Sequence, residues 1–384
     1  MSPLTLQEEL AGIASQDLFR KIRTLERIDS TRAVLNGREI QLFCSNDYLG
    51  LSYHPRIIAV VQKAVSIYGV GAGAARLISG STNLHENLEK RLAELKQKEK
   101  ALLFTTGYLA NLGILTALAG KEDIIVMDKL CHASIVDGAR LSGATIRVFP
   151  HKNYARLEEI LSKAVSFRRR LVVTDTVFSM DGDLADIPEL IHLKKKFDAL
   201  LIVDDAHGTG VLGATGQGAT EDINGAEEVD IVMGTLSKAL GCLGGFACGN
   251  KALIDYLINF ARPFIFATAL PPMCCAASIE AIKILKEEPL LRERLWNNVS
   301  LARGNLKNLG FDFSQLASPI LPLIVGEEKR AVEISESLLQ EGFLVPAVRT
   351  PTVPRGKARL RLTISASHTQ RDIEKICTVL KKTL

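Results

Sequence analysis

One lysine in this chain has surroundings that suit a chemical task. Lys238 lies in the stretch GTLSKALGCLGGF (234–246), directly after VDIVM (229–233), an apolar run that predicts a buried strand. A lysine among small and apolar neighbours is costly to bury unless it is paired or has lost its charge. Two interpretations are open from this stretch alone. The lysine points to solvent from a strand end, or it is an amine nucleophile on a glycine-rich turn that forms a Schiff base with a carbonyl group.

A carboxylate and a histidine follow the preceding predicted strand. Asp204 lies at the end of ALLIVDD (199–205), and His207 comes three residues later. A helix N-cap for Asp204 or Asp205 and a structural role for His207 are the alternatives. Together with Lys238, however, they match the needs of pyridoxal 5′-phosphate (PLP). Its aldehyde requires an amine, and its ring nitrogen requires an anion to stay protonated as an electron sink.

Residues after other predicted strands fit the rest of the same cofactor. Thr106 and Gly107 separate the run ALLF (101–104) from a predicted helix, whose N-terminus would present backbone N–H groups to a phosphate. Thr235 adds a hydroxyl donor beside Lys238. His132, in DKLCHAS, could stack on the ring, although a helix-capping role is equally open. Ser179 follows LVVTDTVF (171–178) and is also well placed.

The elements that must position these residues are predicted by apolar runs separated by helix-length segments. Strands buried on both faces that alternate with helices predict an α/β fold with a mostly parallel, doubly wound sheet. Ligands of such sheets bind at the carboxyl ends of the strands. The runs are ALLF (101–104), DIIVMD (123–128), ATIRVF (144–149), LVVTDTVF (171–178), ALLIVDD (199–205) and DIVMGT (230–235).

The chain length and later pattern changes predict more than one domain. At 384 residues the chain exceeds the usual size of a single small domain. We expect an N-terminal helix and strand segment over 1–50, a large PLP-binding domain over 51–289, and a small α+β domain over 290–384. The runs PILPLIVG, GFLVPAV and ARLRLTIS, with helices between them, indicate the last of these.

Composition excludes several classes of function. A net charge of +4 gives no electrostatic footprint for nucleic acid, and no apolar stretch is long enough to span a bilayer, so neither a nucleic-acid nor a membrane partner is expected. The seven cysteines include no CxxC pair and predict reduced thiols. The N-terminal segment has no signal-peptide pattern, and we expect a cytoplasmic protein.

Two other site types are also rejected. The stretch GVGAGAARL (69–77) follows a helix and lacks the spacing of a dinucleotide fingerprint. HENLE (85–89) is not the HExxH pattern, and no metal-ligand spacing is found, so no metal site is expected.

Seven ordered motifs resemble the α-oxoamine synthases, which are fold-type I PLP-dependent enzymes. The resemblance covers essentially the whole chain, and it implies condensation of an amino acid with an acyl thioester and release of carbon dioxide. It also implies that Lys238 carries the cofactor. The motifs are SNDYLGL (45–51), FTTGYLANLG (104–113), DKLCHASIVDGARLSGA (128–144), FSMDGD (178–183), VDDAHGTGVLG (203–213), GTLSKALG (234–241) and RTPTVPRGKARLRLTISASHT (349–369).

Local features favour the subgroup that condenses L-alanine with a pimeloyl thioester, carried by coenzyme A or an acyl carrier protein, in biotin biosynthesis. SNDYLGL is typical of that subgroup, whereas 2-amino-3-ketobutyrate ligases tend towards NNYLGL and an SHAVG-like motif. The compact length lacks the extensions of 5-aminolevulinate synthases and serine palmitoyltransferases. The ligase activity, glycine C-acetyltransfer, is the alternative.

The resemblance implies roles for individual residues. Lys238 holds PLP and removes the alanine Cα proton, Asp204 keeps the ring nitrogen protonated, and His207 bonds the phenolic oxygen. His132 stacks on the ring and lies beside the substrate. Four residues are implied to hold the ring substituents or the phosphate: Gly107, Tyr108, Ser179 and Thr235. Three are implied to bind substrate: Arg349 at the alanine carboxylate, Arg20 and Thr352.

The resemblance further implies a homodimer with active sites at the subunit interface. Two other classes compete with a synthase. An aminotransferase would share Asp204 and Lys238 but would store the amino group on the cofactor. A non-catalytic homologue would be expected to lack some of Lys238, His132 and Arg349, and all three are present.

Overall fold

The computed structural model describes residues 5–221, 223–314 and 316–384. The chain forms two compact units. The first comprises Met1–Tyr48, Met180–Gly182 and Glu293–Leu384, and the second comprises Leu49–Ser179 and Asp183–Arg292. The division into domains at 1–50, 51–289 and 290–384 stays a prediction.

The strands and helices are numbered in chain order. The strands are β1 Glu26–Arg27, β2 Arg32–Leu35, β3 Arg38–Leu42, β4 Lys100–Phe104, β5 Ile124–Asp128, β6 Thr145–Phe149, β7 Arg170–Asp175, β8 Leu200–Asp204, β9 Ile231–Thr235, β10 Gly245–Gly249, β11 Ile320–Gly326, β12 Phe343–Leu344, β13 Ala347–Val348 and β14 Ala358–Thr363. The α-helices are α1 Leu6–Ala14, α2 Pro55–Tyr68, α3 Asn83–Leu95, α4 Gly107–Leu118, α5 Ala133–Ser142, α6 Tyr154–Ser162, α7 Ile187–Lys196, α8 Lys251–Phe260, α9 Arg262–Ile265, α10 Pro272–Glu287, α11 Leu290–Lys307, α12 Glu328–Gln340 and α13 Gln370–Thr383. Short helical turns cover Leu51–Tyr53, Arg76–Gly80 and Ala226–Glu228.

The second unit is built on a mostly parallel sheet. Within the described residues its order is β4-β10-β9-β8-β7-β5-β6. The neighbours from β9 through β8, β7 and β5 to β6 are parallel, whereas β10 is antiparallel to both β4 and β9. Each predicted apolar run contains a strand, and the predicted fold class is confirmed.

Two differences from the prediction have physical reasons. Strand β7 ends at Asp175, because Val177 pairs instead with Leu184 in an isolated bridge and starts a hairpin. Strand β10 was not predicted. It contains two glycines in five residues, and a short run of this kind carries neither the length nor the alternation that marks a strand.

Apolar side chains cover both faces of this sheet. One core cluster joins Leu102, Ile125, Leu171 and Ile202 to helix α4, while Val126, Val172, Leu201 and Val232 belong to a second cluster with α6 and α7. Because neighbouring residues of a strand point to opposite faces, strands of this kind must be apolar throughout. In β5, β8 and β9 the polar side chains are confined to the carboxyl ends, and these ends carry the candidate site.

The first unit contains two smaller sheets. Strands β1-β2-β3-β12 form one, and β11-β14-β13 form the other. Strand β14 is buried along its whole length, including Arg359 and Arg361. Arg359 donates to the backbone oxygen of Met180 at 3.0 Å and to Asp181 Oδ1 at 2.6 Å, which holds the Met180–Gly182 segment in this unit. The three strand runs predicted after residue 290 are observed.

Among the described residues, no helix has the length and apolar character needed to cross a membrane.

Candidate active site

Asp204 is a buried carboxylate at the carboxyl end of β8. Its Oδ2 accepts a hydrogen bond of 2.7 Å from Asn111 Nδ2 on α4, and its Oδ1 accepts one of 3.0 Å from the backbone of Ala206. Asn111 also donates to Ser134 Oγ at 2.8 Å. These bonds fix the plane of the carboxylate. It is not the N-cap of a helix in this structure, which removes one of the alternatives raised by the sequence.

A second buried carboxylate lies beside Asp204 in the sheet. Asp175, the last residue of β7, is the register partner of Asp204. Burial raises the pKa of Asp175 well above its ordinary value, and the negative charge of Asp204 raises it further. Asp175 Oδ2 accepts a 2.9 Å hydrogen bond from the backbone N–H of His132. Asp175, at the end of β7, therefore favours its neutral form beside the Asp204 carboxylate at the end of β8.

His132 caps helix α5 and also belongs to this cluster. Its Nδ1 accepts from the backbone of Ser134 at 3.3 Å and lies 2.7 Å from Ser134 Oγ. Burial lowers the pKa of His132, Lys238 lowers it further, and Asp204 acts in the opposite direction. The capping role that the sequence left open is thus real. His132 also interacts electrostatically with both Asp204 and Lys238.

The turn from β4 into α4 lies against the end of β9. Thr106 caps α4 by accepting from the backbone of Leu109 at 3.2 Å. A Cβ on Gly107 would lie 3.3 Å from Thr235 Cβ, so the glycine permits this close approach. Thr235 Oγ1 donates to the carbonyl of Gly244 at 2.8 Å and lies 2.7 Å from Ser237 Oγ. The predicted neighbours Gly107 and Thr235 are brought together.

Lys238 is half-buried and lies on a tight turn between β9 and β10. Its backbone oxygen accepts from Gly241 at 2.9 Å, and Leu236 N donates to Gly244 at 3.0 Å. Gly241 has a φ of +68°, and a Cβ there would come within 2.4 Å of the backbone nitrogen of Ser52. Only glycine fits this position of the turn.

The remaining predicted cofactor residues lie around this edge of the sheet. His207 is buried three residues beyond Asp204, and Ser179 is half-buried after the β7 strand. Tyr108 is exposed, its hydroxyl hydrogen-bonds Asp137, and its ring meets that of His132 edge-on at 6.4 Å between centroids.

The sequence did not reveal the polar residues behind Asp204. Asn111, Ser134 and Asp175 are ordinary helix and strand residues in the sequence, and only their contacts with Asp204 and His132 distinguish them. For Asp205 the sequence suggested only a helix N-cap. It forms a fully buried ion pair of 2.7 Å with Lys96, and Thr176 Oγ1 donates to its second oxygen at 2.6 Å. A carboxylate at the end of a buried strand is the signal that could have found Asp175.

The predicted substrate residues belong to the first unit. Arg20 and Arg349 line one cavity of about 600 Å³, together with Lys21 and Arg23. Burial lowers the pKa of Arg349, and the positive charge of Arg20 lowers it further. The Arg349 guanidinium donates to the backbone oxygen of Asp17. Its four basic residues outnumber the two acidic residues of the lining, Asp17 and Glu336, so the cavity has a net positive charge and suits an anionic group.

Thr352 is placed differently. Its backbone nitrogen donates to the Arg349 oxygen at 3.0 Å, but its side chain is exposed and is not among the residues that line the cavity. The structure thus brings Arg20 and Arg349 together and keeps Thr352 at their margin.

Comparison with known proteins identifies the family of this chain. The family model for class I and II aminotransferases matches residues 38–380. The chain belongs to this family. A protein named putative 8-amino-7-oxononanoate synthase from Desulforudis audaxviator is 48% identical, with 99% of this chain and 98% of the relative covered. The 8-amino-7-oxononanoate synthase 1 of Bacillus subtilis is 43% identical, with 98% and 96% covered. The resemblance found from the motifs is confirmed.

Solved structures of this family have the same fold. A serine palmitoyltransferase from Sphingomonas wittichii superposes with a TM-score of 0.92 at 32% identity and covers 98% of this chain and 96% of its own. Another, solved with its PLP internal aldimine, reaches 0.94 at 31% identity over 99% and 98%. An 8-amino-7-oxononanoate synthase from Francisella tularensis reaches 0.78 at 30% identity over 89% and 97%. The fold is that of fold-type I PLP-dependent transferases.

The donor set in the second unit fits PLP. A buried carboxylate held by two donors suits a protonated ring nitrogen, and a half-buried lysine on a rigid turn suits an aldehyde. The N-terminus of α4, the glycine contact at Gly107 and the hydroxyls of Thr235 and Ser237 suit a phosphate. The chemistry of each group matches a different part of one cofactor.

Proposed function

We propose that this chain condenses L-alanine with a pimeloyl thioester to form 8-amino-7-oxononanoate, carbon dioxide and a free thiol in biotin biosynthesis. The observation that carries the proposal is the near full-length similarity to proteins named 8-amino-7-oxononanoate synthase, at 43–48% identity. The thiol carrier is coenzyme A or an acyl carrier protein.

PLP is the proposed cofactor, and when bound it withdraws electrons from the Cα of an amino acid. Lys238 would hold the aldehyde carbon, and Asp204 would hold the proton on the ring nitrogen. His132 would cover one face of the ring, and His207 would donate to the phenolic oxygen. The phosphate and ring substituents would be held by Gly107, Tyr108, Ser179 and Thr235.

The proton chemistry belongs to residues of this chain. Lys238 takes the proton from the alanine Cα as general base and returns a proton to the same carbon after carbon dioxide has left. Asp204 makes that step possible because its buried charge, fixed by Asn111, stabilises a positive charge on the ring nitrogen. Neutral His132, whose pKa is lowered mainly by burial, adds no competing positive charge beside Lys238.

Substrate binding is proposed for the basic cavity of the first unit. Arg349 would bind the alanine carboxylate, because a guanidinium can form two parallel hydrogen bonds with it. Arg20 would bind the pimeloyl substrate, and Thr352 would add a further contact. The excess of positive charge around Arg20 and Arg349 supports a substrate with anionic groups.

A homodimer in the cytoplasm is also proposed. Two neighbouring segments of the second unit expose apolar side chains, and they are joined by a bridge between Ala75 and Thr268. Ile78 is 80% exposed and Phe266 is 69% exposed. Exposed apolar patches of this kind support a protein interface.

The test of the function is thiol release by the purified, PLP-loaded protein. We expect release with L-alanine and pimeloyl-CoA, together with 8-amino-7-oxononanoate in the mass spectrum. Lys238→Ala should abolish both because it removes the general base. Release with glycine and acetyl-CoA only would assign the chain to glycine C-acetyltransfer instead. Transfer of an amino group to the cofactor without thiol release would indicate an aminotransferase.

A further inference from the structure

His151 bridges two carboxylates at the candidate site's edge of the sheet. It follows β6, and its Nδ1 lies 3.0 Å from Asp128 Oδ1 while its Nε2 lies 3.0 Å from Asp183 Oδ2. An ionised carboxylate only accepts hydrogen bonds, and a neutral imidazole has a single N–H. Both contacts can be hydrogen bonds only if the ring carries two protons. Between two ionised carboxylates the ring is therefore an imidazolium, and the lowered pKa of Asp183 agrees with an ionised partner.

The charges around the ring balance that positive charge. Lys152 donates from its backbone to Asp128 Oδ2 at 2.9 Å, and its ammonium lies 3.2 Å from Asp183 Oδ2. Burial alone would lower the pKa of His151, but the hydrogen bonds to the two carboxylates outweigh it and raise the pKa to about 9. The charged side chains that act on the ring are Asp128 and Asp183, and Lys152 contacts both carboxylates. The same two carboxylates, together with Asp186, also act on Tyr154, which is the next titratable side chain along the chain.

The two carboxylates belong to different parts of the site. Asp128 ends β5 and accepts from the backbone of Leu130 at 2.8 Å, in the segment that leads to His132. Asp183 lies in the stem of the hairpin that begins at Val177, where Phe178 N donates to its backbone oxygen at 3.0 Å. The His151 ring also packs edge-on against Phe178, at 4.3 Å between centroids. Phe178 directly precedes Ser179.

We propose that His151, as an imidazolium, is a positioning residue that holds the His132 segment and the Ser179 hairpin stem in the arrangement that binds PLP. This inference rests on the proposed function for the identity of the cofactor. Loss of one ring proton leaves a nitrogen lone pair facing a carboxylate, so one side of the bridge opens. PLP affinity should then fall, although His151 is not among the residues proposed to hold the cofactor.

The test compares the PLP dissociation constants of the full-length apoprotein and its His151→Gln variant from about pH 7 to 10. Glutamine keeps a donor but cannot bridge both carboxylates as a cation. We expect binding roughly tenfold weaker in the variant at pH 7, the size of one lost charge-assisted hydrogen bond. The ratio of the two constants should approach one by pH 10, because the wild-type ring has then lost its proton. A pH effect on PLP binding that does not involve His151 affects both proteins and cancels in the ratio.

The matched control is His192→Gln, which changes an exposed histidine on α7 and should bind PLP as the wild type does at every pH. A ratio of one at pH 7 would overturn the proposal. A ratio that stays constant across this range would also overturn it, because His151 would then have a merely structural role.

A second variant keeps the test valid if His151→Gln does not fold. Asp183→Asn should shift the pKa of His151 from about 9 towards its ordinary value, followed by NMR of 13C-labelled histidine. The pH at which PLP binding weakens should move by the same amount as the pKa of His151. A change in only one of these two quantities would contradict the proposal. If the ratio of PLP dissociation constants changes with pH as expected but the protein releases no thiol, only the proposed function is overturned. Thiol release with a flat ratio would overturn the role of His151 alone.

Discussion

At the scale of single residues, the candidate site depends on groups that hold the reactive ones. Asn111→Leu should lower kcat about 10- to 100-fold, because Asp204 Oδ2 would lose its side-chain donor in a buried position, worth about 1.5–3 kcal/mol. Leucine has a similar volume, so packing is largely kept. Steady-state thiol release measures the effect, and bound PLP is checked by its absorption.

The control for that variant lies on the same helix. Thr116→Val removes a hydroxyl that donates only to the backbone of Leu112 at 2.6 Å, and it should leave kcat unchanged. If Asn111→Leu folds, binds PLP and turns over like the wild type, the proposed dependence of Asp204 on Asn111 is wrong.

At the scale of elements, the close packing of β10 against the β4–α4 turn decides the shape of the phosphate site. A Cβ on Gly245 would lie 2.5 Å from the Thr106 oxygen and 2.6 Å from Gly107 N, both of them backbone atoms. Gly245→Ala must therefore displace the N-terminus of α4. We expect a loss of about 1–3 kcal/mol of folding stability and weaker PLP binding, measured by urea unfolding and by PLP titration.

Gly304→Ala is the matched control for the same substitution. Gly304 lies in helix α11, and a Cβ there would meet nothing within 4 Å. Alanine should stabilise this helix by about 0.5–1 kcal/mol without changing PLP affinity. Equal effects of the two substitutions would contradict the steric argument for Gly245.

At the scale of the whole molecule, acid stability depends on a buried histidine of the first unit. His368 accepts from Ser365 N at 3.0 Å through Nδ1, and its Nε2 lies 3.1 Å from the Leu42 oxygen, so the neutral ring uses both nitrogens. Burial lowers its pKa to about 4. Since the unfolded residue titrates near 6.5, stability is complete above that pH and falls by about 3 kcal/mol as the pH drops to about 4.

Urea unfolding between pH 7 and 4 measures this slope. His368→Gln should be less stable at pH 7. Its free energy of unfolding should decrease less steeply towards pH 4, because the histidine with the lowered pKa is absent. His192→Gln, which changes an exposed histidine, should keep the wild-type slope. Equal slopes for His368→Gln and the wild type would show that other groups cause the acid sensitivity.

The proposed homodimer is also a property of the whole molecule. Ile78→Asp should convert a dimer to monomers in analytical ultracentrifugation, because a carboxylate would have to be buried in the interface. Val165→Asp is the control, since Val165 is 77% exposed outside the two apolar segments and should leave the mass unchanged. A wild-type protein that sediments as a monomer would contradict the proposal directly.

Much of the fold could be predicted because burial on both faces of a sheet leaves a direct signal in the sequence. Strands β5 and β8 are apolar at every position before the last. The polar residue that ends each strand then identifies candidates such as Asp204. Strand β10 was missed because glycines replaced that signal, and its place between β4 and β9 depends on contacts with distant strands.

The sequence by itself determined the family, the fold class and the residues whose chemistry suits PLP, because each of these depends on residue type and order along the chain. Only the tertiary structure showed Asn111 at Asp204, Asp175 beside it, and His151 between two carboxylates. Asn111 and Asp204 are 93 residues apart, and no local pattern encodes such a contact. Hydrogen-bond partners and the pKa shifts that follow from them arise when strands meet in the sheet, so they are properties of the folded chain.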